Sequence, residues 1–141
     1  MQHHLAILAP GWIEPILEGT KTIESRFTKV RCAPYGKVNI GDLVYMKESG
    51  GPVKGQFTVA AVETYDNLTD AIVDQIYDTH CEEILVNTYD YNTPPLKWYF
   101  SRYATLIHVE NVVAYGNPFP YKQNGRSAWL LLDAPLIDTH N

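Results

Sequence analysis

The chain has 141 residues, 45% of them hydrophobic and 19% charged, with a net charge of −5. This is the composition of one globular domain spanning 1–141, and it excludes a disordered chain. The acidic balance excludes a protein built mainly for tight, non-specific binding of long nucleic acid, which needs a basic exterior, while leaving room for a small basic pocket.

His4 to Leu8 is a short apolar run closed by Pro10-Gly11, the pattern of a buried strand. Trp12 to Gly19 then predicts a short helix, with Pro15 in its first turn and Gly19 at its C-terminal cap. Trp12, Ile13, Ile16 and Leu17 share a face at helical spacing, and core packing is their default role. Next comes Gly19-Thr20-Lys21-Thr22-Ile23-Glu24-Ser25-Arg26, a turn entering a short strand. Alternation puts Glu24 and Arg26 on one face and Ile23 and Ser25 on the other. Strand interiors seldom hold this much charge unless one face lines something wet. The bland alternatives are an exposed edge strand whose charges keep the surface hydrated, or an internal ion network.

Thr28 to Ile40 is a loop rich in Pro, Gly and basic residues, and Leu43 to Lys47 is a strand. Glu48 to Pro52 is a hairpin tip and Gln56 to Thr64 the return strand. Asn67-Leu68-Thr69-Asp70 starts a helix running to about His80, with Ile72, Val73, Ile76 and Tyr77 on one side. Asp70, Asp74 and Asp78 lie along that helix at four-residue spacing, usually a wet face. Cys81 to Pro95 extends the helix briefly and breaks at Asn92-Thr93-Pro94-Pro95. Leu96 to Tyr103 is an aromatic block whose Trp98, Tyr99 and Phe100 are core residues by default, with base stacking as the alternative. Ala104 to Tyr115 is a long strand, Asn117-Pro118-Phe119-Pro120 a turn, and Ala128 to Leu132 a last strand. Five to seven strands with two or three short helices make an α+β fold, a mixed β-barrel or curled sheet.

No metal is implied: His3 and His4 are adjacent but isolated, and Cys32 and Cys81 belong to no ligand pattern. Cys32 is expected to be a buried, inert thiol, although the neighbouring Arg31 offers a cation that would activate it. No apolar run approaches the roughly 20 residues of a bilayer span, and no basic region precedes an apolar block near Met1. A cytoplasmic protein with reduced cysteines and no membrane association is the expectation.

The spacing Gly19-x-Lys21-x-x-Glu24-x-Arg26 resembles the signature of ASCH domains, members of the PUA-like superfamily. Arg31-Cys32-Ala33-Pro34-Tyr35-Gly36-Lys37, Lys47-Glu48-Ser49-Gly50-Gly51-Pro52 and Ser101-Arg102-Tyr103-Ala104 are also similar to segments of bacterial single-domain ASCH proteins. The resemblance implies a PUA-like barrel with a cleft and a relation to RNA or modified nucleosides. Some members are regarded as RNA-binding modules or ribonucleases. A group of small bacterial ones are amidohydrolases that deacylate N(4)-acetylcytidine without a cofactor. That group pairs the motif lysine with a threonine and a more distant glutamate. Here Glu24 stands where the threonine would be, so the resemblance carries over Lys21 and leaves Glu24, Thr22, Ser25 or a water as the attacking group.

Hydrolysing an acylated cytosine takes a nucleophile, an oxyanion stabiliser and an acid for the departing amine. Lys21 and Glu24 are the candidate catalytic residues, with a desolvated amine and a base for water. Arg26, Tyr35, Lys47, Glu48, Ser101 and Arg102 are the candidate substrate-binding residues, Tyr35 because loops carry binding groups. The expected partner is a small nucleoside substrate; an RNA ligand held by Arg31, Lys37, Lys47, Lys54 and Arg102 is the alternative.

Overall fold

Six strands and three helices form from these patterns in the computed structural model, which describes residues 1–86 and 92–136. The apolar run becomes strand β1 (His3–Leu8), followed by helix α1 (Ile13–Glu18) and strand β2 (Ile23–Thr28). Strands β3 (Leu43–Glu48) and β4 (Val53–Tyr65) make the hairpin, and Asp70–Leu85 forms helix α2. A single turn of helix, α3 (Leu96–Tyr99), precedes the long strand β5 (Tyr103–Phe119), and β6 (Trp129–Leu132) ends the sheet.

The strand order is β2-β5-β4-β3-β1-β6. Only β1 and β3 run parallel, joined across α1 and β2; every other neighbouring pair is antiparallel. The sheet is a curled half-barrel, and β2 and β6 are its two ends. Both faces are covered. On one, Ile13 and Ile16 of α1 pack with Val44, Met46, Phe57 and Ile107; on the other, Val73, Ile76 and Ile84 of α2 pack with Ile23, Phe27, Leu106 and Trp98. Neighbouring Leu106 and Ile107 of β5 therefore serve opposite cores, as the two-residue period of a strand requires.

Several elements depart from the sequence expectation. Helix α2 runs on past His80 to Leu85, the brief extension that the sequence allowed, because Ile84 and Leu85 continue its buried stripe. Residues 87–91, within the segment from Cys81 to Pro95, lie outside the described residues. The aromatic block folds as helix α3, with Trp98 buried but Phe100 63% exposed and so no part of the core. Asn117 to Phe119 form no turn: β5 carries through them because β4, starting already at Val53, pairs as far as Phe119. Register shifts in that pairing absorb the mismatch. Cys32 is exposed, not buried: it follows the equally exposed Arg31 in the irregular stretch after β2, outside any strand or helix that would turn it to a core. Among the described residues, no helix is long and apolar enough to cross a membrane.

The cap of α1 forms as the sequence indicated. Gly19 takes a left-handed conformation (φ 84°) that lets its amide reach the carbonyl of Ile16. The amides of Thr20 and Lys21 then both donate to the carbonyl of Pro15 at 3.0 Å, so the turn before β2 is tied to the helix end.

Gly55 of β4 sits hard against β5 and against Leu17 of α1. A Cβ built there would lie 2.6 Å from the carbonyl oxygen of Val113 and 2.8 Å from Leu17 Cδ2. Gly55→Ala is expected to destabilise the fold by about 1–3 kcal/mol through overpacking against backbone. Denaturant unfolding measures this, and an unchanged midpoint would show that β5 yields freely at this crossing.

Candidate active site

The chemistry-bearing residues are gathered at the open end of the half-barrel. Strand β2 pairs with β5 on one edge only, and its other edge faces β1. No strand among the described residues fills that gap. A cleft of about 330 Å³ lies along it, within the range of small-ligand sites. Its lining comes from the end of β1 (Ile7, Leu8, Ala9), from Trp12, Lys21 and residues 24–27 of β2, and from Ile84, Lys97 and Trp98. Because the cleft runs along a strand edge, residues of both β2 faces line it, Ser25 and Phe27 as well as Glu24 and Arg26.

Lys21 is 3% exposed. Its Nζ donates to the carbonyl of Ile84 in the last turn of α2, lies 3.7 Å from Glu24 Oε1 and stands 5.2 Å from the centre of the Trp12 ring. These are three surroundings that suit a cation. Burial nevertheless pushes the amine below the ordinary lysine range; the Glu24 carboxylate opposes the shift and Arg26 adds to it.

Glu24, 6% exposed, accepts the backbone amide of Ser25 on Oε1 at 3.0 Å and the Arg26 guanidinium on Oε2 at 3.1 Å. Arg26 spans the gap: its Nη2 donates to the carbonyl of Ile7 at 3.1 Å and its Nη1 to that of Ala128 at 3.2 Å, while its guanidinium lies 5.1 Å from the centre of the Trp129 ring. Trp98 stacks on Phe27 with ring centres 4.2 Å apart and planes 9° from parallel, fixing an aromatic wall.

The structure therefore brings together Lys21, Glu24 and Arg26. The other predicted binding residues lie elsewhere. Lys47 is buried beside the β3–β4 bulge and donates to the carbonyl of Glu48 at 3.2 Å. The Glu48 side chain pairs with Lys54 at 3.4 Å. Tyr35 packs on Tyr103 at 4.9 Å and carries Arg31 on its other flank. Ser101 and Arg102 border a separate, shallower recess with Lys29, Tyr99 and Phe100, where Ser101 is turned inward to the Lys97 carbonyl and Arg102 to Asp66. Asp70, Asp74 and Asp78 stay on the solvent face of α2, away from the cleft. Sequence reasoning missed Trp12 and Trp98 as cleft walls, having assigned both to the core. It also missed Lys97, whose only signal was its place beside Trp98.

The backbone matches crystal structures of ASCH from Zymomonas mobilis. The parent structure is 15% identical, with a TM-score of 0.64, and the match covers 92% of this chain and 87% of that one. A serine-to-alanine mutant of the same protein matches with a TM-score of 0.66 at 15% identity over the same shares of each chain. A tyrosine-to-phenylalanine mutant matches with a TM-score of 0.65 at 15% identity, covering 94% of this chain and 91% of that one. No family model matches the sequence, and no curated protein matches it. The fold is thus that of an ASCH domain, α+β and PUA-like, as the motif resemblance implied.

Burial of Lys21 gives a pH signature. The unfolded chain titrates this lysine near 10.5 and the folded chain at a lower pH, so between the two values the unfolded state holds the extra proton and stability rises with pH. Lys21→Met removes that slope. The variant's stability relative to the parent is expected to be most favourable at neutral pH and to decline as the pH climbs towards 10.5. Unfolding curves across that range test it; a difference independent of pH would place the amine in water.

Proposed function

We propose that the cleft hydrolyses the exocyclic amide of N(4)-acylated cytidine or a related modified nucleoside, with Lys21 and Glu24 as the catalytic residues. The observation that supports this is a buried carboxylate flanked by a buried amine and a guanidinium on the wall of an indole-lined cleft. The cleft offers planar apolar walls for a base and one compact set of charged groups for the amide.

In this scheme Glu24 takes a proton from water as its oxygen bonds to the acyl carbon. Lys21, held by its hydrogen bond to the Ile84 carbonyl and by the nearby Glu24 charge, gives a proton to the exocyclic nitrogen as the carbon–nitrogen bond breaks. The proton on Glu24 then returns to the amine once the two groups, 3.7 Å apart at rest, close to hydrogen-bond distance or are bridged by one water, and cytidine and the carboxylic acid leave. The positive charge of Lys21 and Arg26 faces the oxyanion that forms in between, where low local polarity strengthens its effect. The leaving group is a conjugated aminopyrimidine, so this amide is weaker than a peptide bond and a site without a metal is sufficient.

An RNA-binding module would call instead on Arg31, Lys37, Lys47, Lys54 and Arg102 as a basic surface. Lys47 is buried, Lys54 is held between Glu14 and Glu48, and Arg102 is paired with Asp66. Their charge is largely answered within the protein, which favours the small-molecule substrate.

Incubation with N(4)-acetylcytidine is expected to release cytidine and acetate, followed by chromatography. Lys21→Ala is expected to lower kcat/KM by about 10²–10⁴-fold, the usual contribution of a positioned proton donor, while the protein stays folded. No turnover by the parent protein would overturn the proposal, and undiminished turnover by the variant would remove Lys21 from it.

A further inference from the structure

The guanidinium at the mouth of the cleft rests on a ring whose orientation is itself fixed by a buried chain of hydrogen bonds. Trp129, 2% exposed, donates its indole N–H to Nδ1 of His4 at 3.0 Å. An indole nitrogen can only donate, so Nδ1 is bare and the ring proton of His4 sits on Nε2. That nitrogen meets Asp42 Oδ2 at 2.9 Å, with His4 wholly buried. Asp42 in turn accepts the backbone amides of Gln2 at 3.1 Å and Asn39 at 2.9 Å. Its carboxyl is pushed up by burial but brought below its ordinary range overall by the bonds from His4, Asn39 and Gln2. Every member of the chain is satisfied.

Three polar groups sunk into a core do nothing for packing that apolar side chains could not do. What they add is direction. A tryptophan attracts a cation over its face and not at its edge, so the ring adds to the hold on Arg26 only while its plane is turned towards the guanidinium. The residue before Trp129 acts on the same guanidinium, since the carbonyl of Ala128 accepts from Arg26 Nη1. Arg26 carries the constraint on to Glu24 through its 3.1 Å bond.

We infer that Trp129, aligned by His4 and Asp42, is a positioning residue that fixes the Arg26 guanidinium and, through it, the Glu24 carboxylate. The inference rests on the proposed hydrolysis for its kinetic readout alone.

The test uses the full chain and three substitutions. His4→Leu removes the acceptor for the indole. His4→Gln restores one, with a carbonyl for Trp129 and an amide for Asp42. Trp129→Phe keeps a ring but deletes the N–H. Hydrogen exchange of the Arg26 guanidinium, followed by nitrogen-15 NMR, reports its fixation independently of activity. Folded His4→Leu is expected to speed that exchange and to lower kcat on N(4)-acetylcytidine roughly tenfold with little change in KM, the low end of what outer-shell partners cost elsewhere. His4→Gln should recover both, and Trp129→Phe should speed the exchange as His4→Leu does. Unaltered exchange in His4→Leu and Trp129→Phe, or a His4→Gln variant no better than His4→Leu, overturns the inference. If the parent shows no turnover, the hydrolytic assignment fails by itself, and the exchange measurements still decide whether the chain positions Arg26.

Discussion

One side chain stands where a barrel would otherwise need a strand ladder. The curled sheet brings β2 opposite the end of β1 but does not zip them together, and Arg26 reaches across with bonds to the carbonyls of Ile7 and Ala128. Hydrogen bonds involving a charged partner are each worth about 1.5–3 kcal/mol, so this link holds the ends in place. A ladder would have closed the gap completely. A single guanidinium spans it and leaves volume beside itself, and that volume is the cleft. Architecture and site thus share one cause.

The amine opposite is fixed with similar economy by helix ends. The last carbonyls of a helix have no partner within it and carry the negative end of its dipole. In α2 the carbonyl of Glu83 takes the amide of Thr22 and the carbonyl of Ile84 takes the Lys21 ammonium. In α1 the carbonyl of Pro15 holds the backbone of Thr20 and Lys21. Lys21 is therefore gripped at its backbone by one helix and at its amine by another, and little freedom remains to be lost when a ligand arrives.

Much of this was legible from residues alone. An apolar run closed by Pro10-Gly11 located β1, the tip from Glu48 to Pro52 located the β3–β4 hairpin, and Pro15 with Gly19 bounded α1, because those signals depend only on local backbone chemistry. Lys21, Glu24 and Arg26 were found for the same reason: six residues of strand and turn keep them together whatever lies around. The rest depended on what the chain packs against. Lys47 fell at a bulge beside β4, where alternation no longer decides which way a side chain points. Ser101 and Arg102 follow helix α3 into a different recess, although α3 itself supplies Trp98 to the cleft. The bond between His4 and Trp129 joins residues 125 apart, and no spacing rule reaches that far. Two tryptophans assigned to the core proved to serve core and cleft together, since a large ring has faces for both.

The free edge of β2 also carries a hazard that Glu24 contains. An unpaired strand edge is a template on which a second copy of the chain, or any extended peptide, can dock through its backbone. The amide of Ser25 lies on that edge, and the Glu24 carboxylate occupies it at 3.0 Å. An incoming strand would have to displace that buried carboxylate from the Ser25 amide, leaving it with only its Arg26 and Lys21 partners. Trimming Glu24 would therefore bare the Ser25 amide on the strand edge and at the same time take away the carboxylate that Arg26 and Lys21 share.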